Sequence, residues 1–206
     1  FYDISGEWVG FVIGDDDADS WYNVYVVNVS DPGALTYYHV GAAEDLWTFA
    51  LDGHTAVWTT LADTVMLATD IHVADFSDPA HPAVRTGRVP GEVLEIDVSG
   101  DYLVGQSWYI TGRQDMFLIR GYQAIETAEA EYFWNSLAML SHGPEVEGER
   151  IVWQAERYME KDEPGNPWEK DGYMLVGATI DAKGVAVSLL RHTQGWENEY
   201  GAAHLS

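Results

Sequence analysis

The sequence predicts an all-β fold made of four similar antiparallel sheets, on three observations. A short phrase centred on glycine occurs four times at a spacing near 47 residues. A second phrase, ending in Ser-Asp-Pro, repeats at the same spacing. The segments between these landmarks are short and rich in β-branched and aromatic residues, which fit a pleated surface.

The first phrase is Ile4-Ser5-Gly6-Glu7-Trp8-Val9, then Leu51-Asp52-Gly53-His54-Thr55-Ala56, Val98-Ser99-Gly100-Asp101-Tyr102-Leu103 and Val146-Glu147-Gly148-Glu149-Arg150-Ile151. Its glycines step by 47, 47 and 48 residues. Each copy reads as the end of one strand, a tight turn where glycine accepts positive φ at little cost, and the start of an apolar strand. Those second strands are expected at 8–13, 56–60, 102–105 and 151–154.

The second phrase fixes a third strand. Asn23-Val24-Tyr25-Val26-Val27-Asn28-Val29-Ser30-Asp31-Pro32 recurs 47 residues later as Asp70-Ile71-His72-Val73-Ala74-Asp75-Phe76-Ser77-Asp78-Pro79. Weaker copies begin at Asp115 and Asp171, the last delayed by a charged, Pro- and Gly-containing insertion at 160–170. A fourth strand fits at 34–40, 83–89, 131–136 and 185–192, and a further one leads into each following glycine. The chain thus divides into units at approximately 1–47, 48–94, 95–142 and 143–206. Strands such as 8–13 and 24–27 are apolar on both alternating faces, so both faces of each sheet require cover. Four-stranded units of this length, each packed between two neighbours, are the blades of a β-propeller.

The Asp/Asn, Ile/Val, aromatic-or-His, Val phrase closed by Ser-Asp-Pro resembles the blade repeats of secreted bacterial and archaeal propellers of the LVIVD-type and TolB-like groups. The resemblance runs over nearly the whole chain and is closest in the first two units. It implies a propeller exported from the cell, and an extracellular or cell-surface location. The two ends share one phase of the repeat, with 2–5 before the first glycine and 203–206 in the matching position. This leads us to expect four blades taken from a larger ring, the alternative being a four-bladed ring in which one terminal strand completes the other's blade. The absence of an initiator Met at Phe1 points the same way, to a trimmed start. End blades of such a segment would expose apolar surface unless a partner covers them, so self-assembly through the end blades is expected.

Composition limits the partners. Ten Lys and Arg stand against 34 Asp and Glu, a formal net charge of -24. Such a field repels phosphate backbones and anionic lipid surfaces, so neither nucleic acid nor membrane insertion is expected. No apolar run approaches the roughly 18 residues of a membrane-spanning helix. An acidic excess with scarce Lys is also the composition of proteins kept soluble at high salt. There is no Cys, which excludes disulfides and thiolate metal sites.

Asp15, Asp17, Asp19 and Asn23 place oxygen ligands at positions 1, 3, 5 and 9 of a calcium-type loop, and calcium is the one cofactor the sequence suggests. Ser20 stands where such loops turn on Gly, and the same run reads equally as a solvated hairpin tip. Trp21, Trp168 and Trp196 lie among polar residues in connections between strands and are candidates for a contact surface. Trp21 and Trp168 follow the second strands of their blades and are expected on one rim. Trp8, Trp58, Trp108 and Trp153 lie inside second strands and are expected in the core. The seven His are scattered with no close pair, and His72, in a strand position, is expected to serve structure. Gly-x-Ser-x-Gly and phosphate-binding loops do not occur, and no catalytic residue is assigned. The leading expectation is a non-catalytic extracellular module that binds a protein or glycan or acts as a scaffold. The alternatives are a propeller-class hydrolase or the gating propeller of a larger peptidase, and a structural subunit of a surface layer or filament.

Overall fold

The computed structural model describes residues 1–14, 21–63, 67–109, 114–136, 139–160 and 168–194. The described chain forms four four-stranded antiparallel sheets, each a simple meander in sequence order. Sheet 1 contains β1 (Tyr2–Ser5), β2 (Trp8–Gly14), β3 (Trp21–Asn28) and β4 (Tyr37–Glu44). Sheet 2 contains β5 (Leu46–Asp52), β6 (Thr55–Asp63), β7 (Ala68–Asp75) and β8 (Ala83–Pro90). Sheet 3 is built from β9 (Glu92–Ser99), β10 (Tyr102–Trp108), β11 (Gln114–Arg120) and β12 (Ala130–Ser136). Sheet 4 is built from β13 (Met139–Glu147), β14 (Arg150–Glu160), β15 (Trp168–Asp181) and β16 (Gly184–Gln194). A 3₁₀ turn, Tyr122–Ala124, is the one helical element among the described residues.

The four repeat glycines do what their spacing requires. Gly6, Gly53, Gly100 and Gly148 each open a two-residue turn with φ between 52° and 58°, a backbone that a Cβ disfavours. Each turn is tied to the end of the third strand by a backbone bond, as in Val29 N–H to Glu7 O at 2.8 Å and Phe76 N–H to His54 O at 2.9 Å.

The Ser-Asp-Pro phrase is explained by its loop. Asn28 Oδ1 accepts the Ser30 N–H and Asp31 Oδ1 accepts the Gly33 N–H, both at 2.9 Å. Asp75 and Asp78 make the matching pair with the N–H groups of Ser77 (2.9 Å) and Ala80 (3.3 Å). Two successive side-chain-to-backbone turns therefore carry the chain from third to fourth strand. In sheet 1 this loop delays the fourth strand to Tyr37–Glu44, later than its expected place. In sheet 4 the expected insertion is partly ladder, because β14 and β15 extend until Glu160 faces Trp168.

Three apolar layers lie between successive sheets. Trp8, Val24, Val26 and Val40 of sheet 1 meet Phe49, Leu51, Ala56 and Trp58 of sheet 2. The other face of sheet 2 (Val57, Ile71, Val73) meets Val98, Leu103, Phe117 and Ile119 of sheet 3. Val104, Met116 and Leu118, on the far face of sheet 3, meet Ile151, Trp153 and Val176 of sheet 4. Sheets 2 and 3 are thus buried on both faces, whereas sheet 1, which holds the two-faced strands 8–13 and 24–27, is covered on one face and leaves Ile4 and Ile13 exposed on the other.

Candidate functional site

The first strands of the four sheets, β1, β5, β9 and β13, run side by side in the same direction and line a cleft of roughly 380 Å³. Because strand side chains alternate, the residues one and three places before each glycine point toward the following sheet. These are Asp3 and Ser5, Ala50 and Asp52, Asp97 and Ser99, and Glu145 and Glu147. Asp3 Oδ2 accepts the Leu51 N–H at 2.7 Å and Ser5 Oγ the Gly53 N–H at 2.9 Å. Asp52 Oδ2 accepts the Gly100 N–H at 2.6 Å. Asp97 Oδ2 accepts the Val146 N–H at 2.6 Å, Ser99 Oγ accepts the Gly148 N–H at 3.2 Å, and Glu95 accepts the Gly143 N–H. Along the inner strands these backbone bonds run in one sense, the earlier sheet supplying the side-chain acceptor and the later sheet the N–H, whereas at the periphery Arg85 and Arg120 of the earlier sheets donate to carbonyls of the later ones. Inner strands placed side by side without a ladder leave such N–H groups to be satisfied, and these side chains do so.

Burial pushes the Asp97 carboxyl up to about 7, against the pull of the Val146 and Val98 N–H groups, with the charges of Asp3 and Glu145 adding to the rise. The stitching carboxylates carried a signal in the sequence that their position relative to the repeat glycine would have disclosed.

The opposite rim, where second strands end and third strands begin, carries exposed indoles. Trp21 opens β3 and is 45% exposed; Trp47, in β5, is 39% exposed. Trp47 is the extra residue of a β-bulge between Leu46 and Thr48, which turns its ring outward. Trp108 closes β10 and is 42% exposed. This corrects the core position expected for Trp108: it lies eight residues beyond its glycine, past the cover of the neighbouring sheet. Trp8, Trp58 and Trp153 are buried as expected. Trp168 opens β15 on the same rim as Trp21; its side chain, and all of Trp196, lie outside the described residues.

Of the calcium-type set, Asp15, Asp17 and Asp19 lie outside the described residues. Asn23 lies on β3, its Oδ1 3.1 Å from His39 Nε2. Among the described residues no three His, Asp or Glu side chains converge to hold a metal ion. His72 is a structural residue: its ring stacks on Trp58 at 5.4 Å and bridges Thr60 Oγ1 (2.9 Å) and Thr86 Oγ1 (3.0 Å). Burial lowers its pKa, with Asp70 opposing.

No protein-family model matches the chain, and no curated protein matches it. Solved structures do. The β-propeller domain of the Trilobed protease from Pyrococcus furiosus, reported with an open velcro topology, is similar with a TM-score of 0.55 at 12% identity. The match covers 92% of this chain and 56% of that one. The chain therefore spans a little over half the length of that propeller. By its own topology and by this likeness, the fold is a β-propeller of four blades.

Proposed function

We propose that the chain is a non-catalytic binding module that works outside the cell and holds a protein or glycan against its aromatic rim. The observation that carries this reading is the presence of exposed Trp21, Trp47 and Trp108 on one rim of three successive blades. Indole rings stack on sugar faces and anchor protein contacts, and here rigid strands present them. The blade repeats, which resemble those of secreted LVIVD-type and TolB-like propellers, support the extracellular placement. The Asp15, Asp17, Asp19 and Asn23 spacing supports a calcium ion beside Trp21 as part of the same surface.

A glycan array and a pull-down with the purified chain, each at low and at molar salt, test the proposal. Binding that weakens at least about tenfold in Trp21→Ala, Trp47→Ala or Trp108→Ala is the expected result. Measurable turnover of a substrate together with no ligand at any salt concentration would overturn it. A second reading, in which the blades gate or support a hydrolase, draws on the propeller of similar fold being a domain of a protease. Peptidase activity encoded with these blades in a longer reading frame would favour that alternative.

A further inference from the structure

Of the five Asn in the sequence, only Asn28 lies two residues before Ser or Thr, in Asn28-Val29-Ser30. This is the spacing of an N-glycosylation acceptor, with a residue other than Pro in the middle. Asn28 closes β3, and Val29 through Tyr37 are exposed without interruption. Asn28 Oδ1 accepts both the Ser30 N–H at 2.9 Å and the Ser30 Oγ–H at 2.5 Å. Neither bond uses Nδ2. The second blade builds the same turn with a carboxylate, Asp75 Oδ1 accepting the Ser77 N–H at 2.9 Å. The turn therefore needs an acceptor oxygen and not an amide. What sets the first blade apart is the amide nitrogen, together with an exposed Val29 where the second blade buries Phe76.

An amide nitrogen is a weak nucleophile because its lone pair is shared with the carbonyl. Two donors on Oδ1 stabilise the negative charge that gathers there when Nδ2 gives up a proton. We propose that Asn28 is a glycan acceptor, taking a preassembled oligosaccharide from a lipid-pyrophosphate donor. In that transfer Nδ2 gives a proton to a base of the transferase and attacks C1 of the first sugar. The N–C1 bond forms as the C1–O bond to the pyrophosphate breaks, and the lipid leaves with its pyrophosphate. Such transfer takes place on the exported side of the membrane, so this role rests on the chain working outside the cell. Asn28 and Trp21 stand at opposite ends of β3, about 23 Å apart at the rise of an extended strand. A glycan at Asn28 therefore leaves the aromatic rim open.

The test is transfer to the folded, purified chain by a single-subunit oligosaccharyltransferase supplied with a dolichyl-pyrophosphate-linked oligosaccharide. Intact mass and peptide mapping read the product, and a synthetic peptide spanning residues 25–33 reports that enzyme and donor are active. The expected result is a mass increase of one oligosaccharide, mapped to Asn28. Asn28→Asp, which copies the Asp75 turn of the second blade, should take none and should melt like the parent. Ser30→Ala keeps the backbone bond and loses the hydroxyl, so transfer should slow at least about tenfold, and Ser30→Thr should retain it. An unmodified chain beside a modified peptide, transfer to Ser30→Ala at the parent rate, or a glycan still carried by Asn28→Asp would overturn the proposal. Because enzyme and donor are supplied, the outcome is independent of where the chain resides. Fractionation of expressing cells reads location separately: a cytoplasmic chain would overturn the extracellular reading, and an unmodified chain in the transfer assay the acceptor site.

Discussion

The Asp97 carboxylate accepts the Val146 N–H at 2.6 Å across the interface between the third and fourth blades. The bond is made by a group whose burial raises its pKa from 3.8 to about 7. Because the folded value lies above the unfolded one, the stabilising contribution is complete below pH 3.8 and is lost as pH rises through 7. The Asp97→Asn variant keeps an acceptor for Val146 and cannot ionise. Its melting temperature relative to the parent is expected to rise between pH 4 and pH 8, and a pH-independent difference would show that Asp97 does not titrate in this range.

His72 has the opposite sign. Its pKa is lowered from 6.5 by burial, so its contribution is present above pH 6.5 and is lost as pH falls and the unfolded chain takes up the proton more readily. Thermal melts of the parent and of His72→Gln should converge, or cross, as pH is lowered from neutrality toward 5. Were the gap between them to widen instead, the ring would be charged in the folded protein.

Asp52 anchors the second interface through the Gly100 N–H, with Ser5 Oγ also 3.4 Å from its other oxygen. Asp52→Ala leaves these groups to water or to nothing. A loss of about 1–3 kcal/mol in denaturant-induced unfolding is expected. Leu35→Ser, by contrast, should stay within about 0.5 kcal/mol.

Gly41 lies under the Trp58 ring, and a Cβ there would collide with the indole. Gly41→Ala should therefore cost about 1–3 kcal/mol through overpacking. At Gly14 a Cβ would meet only the Tyr22 ring, at 3.6 Å, and the same change should be nearly silent. Combining Gly41→Ala with Trp58→Phe should cost less than the sum of the two single changes, since the smaller ring relieves the collision.

The strand order, the turns and the sheet count were readable because each rests on a local rule. Glycine at positive φ marks Gly6, Gly53, Gly100 and Gly148, and the paired side-chain turns of Asn28, Asp31, Asp75 and Asp78 recur with the phrase that encodes them. The bulge that exposes Trp47 was not readable, because one extra residue in a ladder leaves no trace in an alternating pattern. Trp108 was misplaced because strand membership does not reveal how far the neighbouring sheet reaches. The inner carboxylates were visible as residues, but their targets are backbone groups 48 or 49 positions away, and only the side-by-side alignment of the first strands turns that separation into contact.

The inner-strand stitch also sets the loop length that each blade must close, because its bonds join residues one repeat apart. A blade emerging during synthesis already carries the acceptors for its successor, and its own donors meet acceptors laid down one repeat earlier. Each new blade can thus be captured as soon as its first strand appears, with a loop of one repeat to close and no need for distant segments.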